Sequence, residues 1–320
     1  MMTIRTALTA LLAVPLLAIT ACGNDTDTPD STTTEHGGTA EHAAATQTTD
    51  ADWAPVAEIL GRSGKFDKTN TVYRVGLPRT DLSVQVRDVT INPGLSLGGY
   101  AAFTKYGDQA MLMGDLVVTE AELPAVTDAL QAGGLAQTAV HKHLPQHEPP
   151  IWWTHIHGMG DPAKLAQTIK AALDKTGIRP PTPASGEQPP LDLDTAGIDT
   201  ALGRKGTSEG GVYKYGIARA ETVTDGTHTL PAALGLTTAI NFQPVGGGRA
   251  AINGDFAMIE SEIQPVVQAL RSAGIEVVEI HNHGLDDNPR LFYMHFWAVD
   301  DAVRLSKALR TALDATNLQK

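Results

Sequence analysis

Seven histidines stand in matching places of this chain. His141-x-His143 and His155-x-His157 lie in its first half. His281-x-His283 and His295 lie in its second, with Trp297 where an eighth would stand. In a β-strand residues i and i+2 share a face, so each pair projects two imidazoles the same way. If the two strands pair as a hairpin with His141 opposite His155, the first half gathers four rings in one patch. Facing Cβ atoms in such a ladder are about 5 Å apart, and three or four ring nitrogens there can hold a cation at about 2.0–2.1 Å. Register decides the matter, because a slip of one residue sends the pairs to opposite faces.

Imidazole suits Zn, Cu, Ni and Fe ions. The one cysteine, Cys22, lies far from these histidines in sequence, so Zn(II) or Cu(II) is the expected metal. Asp115 and Asp255, each after a glycine at the end of a strand, are candidate carboxylate ligands, orienting groups or general bases. His147 and Glu148 fall in the loop joining the two strands and could close the first site; Asp286 and Asp287 take their place in the second. Three histidines and a carboxylate in the second half could leave the open position a catalytic metal needs. The His-Glu-x-x-His motif is absent, no Gly-x-Ser-x-Gly elbow occurs, and the folded part has no cysteine nucleophile. No reaction is therefore assigned, and whether the protein is an enzyme stays open. A second reading stays open too. The histidines could hydrogen-bond to backbone or bind an organic anion, in a non-catalytic envelope binding module with a pocket between the halves for a small ligand or protein partner.

The elements that must position these residues come twice. Val72-Tyr73-Arg74-Val75-Gly76 matches Val212-Tyr213-Lys214-Tyr215-Gly216, an offset of 140 that also aligns Gly114-Asp115 with Gly254-Asp255, His141 with His281 and His155 with His295. So long a period indicates a duplicated domain rather than a solenoid. In each copy, strand-like runs precede an α-β-β-α succession. The first copy reads as strands over residues 71–77, 82–89, 97–105, 110–118, 135–143 and 151–158. Thr119 and Glu122 form a capping box for one helix, and Asp161-Pro162 opens another. The expected fold class is α+β: two tandem, largely antiparallel sheets, each with helices packed on one face. Residues 51–178 and 191–320 are the expected repeats, and the Pro- and Gly-rich residues 179–190 the linker.

With 320 residues, 42% of them hydrophobic, the chain can bury a real core. A net charge of -12 argues against nucleic acid and against adsorption to anionic lipid headgroups. The chain opens with Arg5, then an apolar run from Ala7 to Ile19 that is short for a membrane span, then Leu17-Ala18-Ile19-Thr20-Ala21-Cys22. This resembles a lipobox. Residues 1–21 are the expected signal peptide and Cys22 the expected lipidation site. Its acyl chains, palmitate among them, would anchor the protein to the outer face of the bacterial cell membrane. Residues 22–50, rich in Thr, Asp, Ala, Glu and Gly, read as a disordered tether.

Asn241-Phe242-Gln243-Pro244 with Gly246-Gly247-Gly248, Gly254-Asp255-Phe256, His281-Asn282-His283, Pro289-Arg290-Leu291 and Met294-His295-Phe296-Trp297 resemble motifs of the LppY/LpqO lipoprotein family. The likeness runs over residues 53–316. It implies an exported or lipid-anchored protein built from a duplicated domain of unknown function, and it brings no catalytic residues with it.

Overall fold

The computed structural model describes residues 42–180 and 190–320. The expected signal peptide, Cys22 and most of the linker lie outside them. Among the described residues no helix is long and apolar enough to cross a membrane.

The first half is built from α1 (Asp50–Leu60), β1 (Lys65–Phe66), β2 (Val72–Pro78), β3 (Gly98–Tyr106), β4 (Gln109–Thr119), α2 (Leu123–Ala132), β5 (Ala136–His141), β6 (Ile151–Gly160) and α3 (Pro162–Leu173). The second repeats it with α4 (Thr195–Leu202), β7 (Thr207–Glu209), β8 (Val212–Ala218), β9 (Thr237–Gly246), β10 (Arg249–Met258), α5 (Glu260–Ser272), β11 (Glu276–His281), β12 (Phe292–Asp301) and α6 (Ala302–Leu313). The sheets run β1-β2-β3-β4-β6-β5 and β7-β8-β9-β10-β12-β11, every neighbour antiparallel. The fold is α+β, two similar sheets in tandem halves, each with helices packed against it.

Alternation along the central strands explains how the layers stack. In β4, Ala110, Leu112, Leu116 and Val118 enter the core under α1, α2 and α3. The intervening Met111, Met113 and Val117 face the other half. In β10, Ala250, Ile252, Phe256 and Met258 enter the helix-side core, while Ala251 and Ala257 face across. The two sheets thus lie face to face, with helices outermost on each side. Fully burying a Leu, Phe or Met side chain contributes roughly 1.5–3 kcal/mol, so the strands most committed to both layers are apolar almost throughout. Two apolar clusters join the halves. One packs Trp153, Val117 and Leu144 against Val212, Ala251 and Trp297. The other packs Met111, Met113 and Tyr106 against Leu230, Leu236, Leu291 and Tyr293.

The expected caps form. Glu122 Oε2 accepts from Thr119 N at 2.8 Å, and Thr119 Oγ1 accepts from Glu122 N at 3.2 Å. Asp161 accepts from Lys164 N at the start of α3. Glu122 also carries a role the sequence did not disclose. It receives the buried Arg79 guanidinium through two hydrogen bonds, and Arg79 further reaches Asp81 and the Val117 carbonyl. Arg219 repeats this clamp with Glu262, Glu221 and Ala257.

Two expectations give way. Residues 82–89 do not form one strand. They make a two-stranded ribbon of Gln85–Val86 and Val89–Thr90, whose Val84, Val86 and Val89 are consumed by the contact between halves. The end of the expected tether is also part of the body: Ala43 bridges His228, Thr46 bridges Lys105, and Thr49 caps α1 through Asp52.

Candidate metal centre

β6 pairs with β4 so that His155 stands opposite Asp115, and β12 pairs with β10 so that His295 stands opposite Asp255. On the outer side, β5 does not bring His141 opposite His155. Ala139 does so, after an irregularity between Gln137 and Ala139, and His141 faces Trp153. The offset is even, so His141 keeps the face of His155. β11 repeats this, with Glu279 opposite His295 and His281 opposite Tyr293. His143 and His283 come after their strands have ended, and the opposite half fixes them. Asn253 Nδ2 donates to the His143 carbonyl at 2.7 Å, and the Thr138 hydroxyl donates to the His283 carbonyl.

The sequence led us to expect one histidine patch in each half. Instead both sets meet in a single cluster between the sheets. His141 stacks on His281 with ring centroids 3.9 Å apart. His143 meets His295, and His155 meets His283, each at 3.8 Å. Within the halves His141 lies 4.6 Å from His155, and His281 lies 4.8 Å from His295. His143 Nε2 is 3.2 Å from Asp115 Oδ2, and His283 Nε2 is 3.2 Å from Asp255 Oδ2. These matched distances make the cluster approximately two-fold symmetric, with equivalent donors from both copies.

His157 is not a member. Two residues beyond His155 it is displaced by about 6.6 Å along the strand, and its Nε2 lies 2.9 Å from Asp225 Oδ2. Its counterpart Trp297 is buried in the apolar cluster at the opposite flank. His147 is not a member either: its ring is tied within its own loop to Pro145 and Ile151. Glu148 is exposed and pairs through its backbone with Gln85. Asp287, counterpart of His147, holds the Leu291 amide at 2.6 Å.

Proton positions in the cluster follow from its backbone contacts. His155 Nδ1 lies 3.2 Å from the Gly114 carbonyl, His295 Nδ1 lies 2.8 Å from that of Gly254, and His283 Nδ1 lies 3.0 Å from that of Gly235. A carbonyl only accepts, so each Nδ1 carries the hydrogen and leaves a bare lone pair on Nε2. The Nε2 atoms of His155 and His295 are buried without a hydrogen-bond partner, as are His141 Nδ1 and both ring nitrogens of His281, and the bare Nε2 of His283 meets only the Asp255 carboxyl. The repeated Gly-Asp pair is now explained. A Cβ on Gly114 would lie 2.6 Å from the Tyr100 carbonyl, and one on Gly254 would lie 2.1 Å from that of Ala239, so only glycine lets the neighbouring strand approach this closely.

Burial dominates the electrostatics. It pushes His141, His143, His155 and His281 well below the ordinary imidazole value, His283 down to about 3, and His295 down against the pull of Asp255. The rings are therefore neutral at pH 7, as ligands must be. Burial raises Asp255 to about 6; it raises Asp115 well above the ordinary carboxylate value, with the charge of Asp255 adding to the effect.

Three sets of side chains have one donor atom each within 4.8 Å of one another: His141, His155 and His281; His141, His143 and His295; and Asp255, His281 and His283. These buried groups could hold a metal ion. The donors fit one, because an ion would engage ring nitrogens that nothing in the protein satisfies. Beside the rings a cavity of about 220 Å³ opens between the sheets, with Asp115 and Asp255 in its wall.

Sequence reasoning missed Asn253 and Thr138, the residues that hold the outlying histidines. Asn253 left a signal, as a polar residue directly after the apolar run Ala250-Ala251-Ile252 in the same strand; Thr138 left none.

A family model described as Domain of Unknown Function (DUF1259) matches residues 54–175 and again residues 196–315. No curated protein matches the chain. Three solved structures share slight likeness. A double ringed trimeric shell protein from the RMM microcompartment is 16% identical, with TM-score 0.18, over 66% of this chain and 84% of that one. The trimeric bacterial microcompartment shell protein PduB is 15% identical, with TM-score 0.20, over 78% and 89%. EtuB from Clostridium kluyveri is 11% identical, with TM-score 0.19, over 79% and 91%. Likeness at this level carries no argument about assembly or function.

Proposed function

Because the chain belongs to the family described as Domain of Unknown Function (DUF1259), its role has to be read from the site, and we propose that it binds a divalent transition metal among the six imidazoles that its two halves bring together. The observation that carries this reading is the set of buried, unpartnered ring nitrogens whose tautomers are already set by backbone carbonyls. Leaving such groups unsatisfied costs about 1–3 kcal/mol each, a cost that an ion would relieve. Nitrogen donors with an occasional carboxylate favour Zn(II) or Cu(II). Tetrahedral ligands at 2.0–2.1 Å stand about 3.4 Å apart, so the sets would close by roughly an ångström on binding. The sets His141–His143–His295 and Asp255–His281–His283 share no residue, and the third set overlaps both, so the three sets hold at most two ions at once.

The test is elemental analysis of chelator-stripped protein reloaded with Zn(II) or Cu(II). His155→Ala and His281→Ala are expected to lower the bound metal, and His157→Ala to leave it unchanged. Full loading of both cluster variants would overturn the reading.

The anchoring of the protein is part of the same proposal. The apolar run before Cys22 and the motifs shared with LppY/LpqO lipoproteins support export, lipidation at Cys22 and attachment to the outer face of the cell membrane. Labelled palmitate incorporated by the wild type and refused by Cys22→Ser tests this. The reading of the protein as a binding module for a small ligand is supported by the cavity beside the rings.

A further inference from the structure

The cavity of about 220 Å³ is lined by His143, His155, His283 and His295 with both aspartates. Arg74 and Lys214, which occupy equivalent positions of the two copies, line it as well. The Arg74 guanidinium lies 3.3 Å over the Tyr100 ring and donates to the Ala233 carbonyl, which fixes it beside the cavity. Lys214 has one carboxylate neighbour, Glu209 at 3.4 Å, and Glu209 is largely exposed. Ser96 lines the same cavity, and its hydroxyl is buried with no partner.

Charge decides what such a cavity accepts. Without metal, the two carboxyl groups supply at most two negative charges against the two cations. A divalent ion among the rings adds two positive charges where the imidazoles add none, so the loaded cavity is cationic. A bound cation is often the largest local charge in its site. Size narrows the guest further: a dry cavity of about 150 Å³ takes benzene, so this one takes a molecule about half as large again.

We propose that the metal-loaded cavity binds a small, ring-sized molecule carrying an oxyanion, a carboxylate or a phosphate. The oxyanion is held by Arg74, Lys214 and the Ser96 hydroxyl, which line the cavity beside the rings. This rests on the metal reading, and by linkage the anion and the ion tighten each other's binding by the same factor.

The test is calorimetric titration of the zinc-loaded chain with benzoate and with phenyl phosphate, which separate the carboxylate from the phosphate source. At least one is expected to bind, at least tenfold more weakly to metal-free protein and at least tenfold more weakly to the Arg74→Gln/Lys214→Gln variant. Zinc stoichiometry in that variant is expected to stay at the wild-type value. Ser96→Ala is expected to weaken the same anion. Full zinc loading with no response to either anion, or an equal response in the double variant, overturns the anion site and leaves the metal reading standing. Failure to bind zinc overturns both.

Discussion

Replacing His281 with Leu should make the metal-free protein more stable. The His281 ring is buried at the centre of the cluster, and neither of its nitrogens has a partner. At about 1–3 kcal/mol for each unsatisfied group, the wild-type ring costs roughly 2–6 kcal/mol in the absence of metal. Leucine has a similar volume, and such a swap loses up to about 1.5 kcal/mol in shape and a comparable amount in stacking on His141. With mid-range values the balance favours the variant by about 1 kcal/mol. That is a rise of about 2 °C in Tm for a body of this size. Zinc should reverse the order. At one hundred times its Kd an ion stabilises the wild type by about 2.7 kcal/mol, whereas His281→Leu loses a member of two of the three ligand sets. Thermal melts of both proteins in chelator and in excess zinc read this directly. If the metal-free variant melts several degrees below the wild type, and zinc raises both alike, then the imidazole serves as ordinary core and the reasoning fails.

Other outcomes follow from the same structure. His283 has a folded pKa of about 3 against 6.5 unfolded, so its contribution is complete above pH 6.5 and is lost as pH falls toward 3, by about 2 kcal/mol at pH 5. Asp255, raised to about 6 from 3.8, and Asp115, also raised by burial, act in the opposite sense, but six lowered histidines outweigh two carboxylates. The urea midpoint of the metal-free protein should therefore be lower at pH 5 than at pH 7, and an equal or higher midpoint would contradict the assignment. Arg219→Leu strands Glu262 and should cost about 3–5 kcal/mol in chemical denaturation; Lys170→Ala, in an exposed pair, should cost under about 1 kcal/mol. Asn253→Leu frees the His143 carbonyl and should weaken zinc affinity about tenfold or more with stoichiometry unchanged, and unaltered affinity would remove Asn253 from the site.

Much of the fold was legible because local signals agreed. The 140-residue offset disclosed the duplication, strand-like runs placed β2 to β6 within a residue or two, and Thr119, Glu122 and Asp161 announced their helices. The histidines that share a face were legible for the same reason. Their meeting across the two copies was not, since nothing in sequence spacing records which surfaces dock. One hint lay in β4, where Met111, Met113 and Val117 are apolar on the face opposite the helix core, a sign that both faces are covered. His157 was misplaced because face alone does not fix position along a strand: its residue type matched its neighbours, but its location belongs to a flank where the other copy keeps Trp297. Residues 82–89 alternate like a strand because the second half, rather than a neighbouring strand, takes up their valines.

Because the six imidazoles come three from each copy, neither copy builds the whole six-ring centre by itself. A single-copy relative would reach the same centre only by self-association, and its cavity would then be identical when turned end for end, accepting any lopsided guest in two orientations. Fusion into one chain removes that ambiguity. Arg74 now corresponds to Lys214, and Ser96 to Leu236, so the two copies line the chamber differently and a guest can be held one way round.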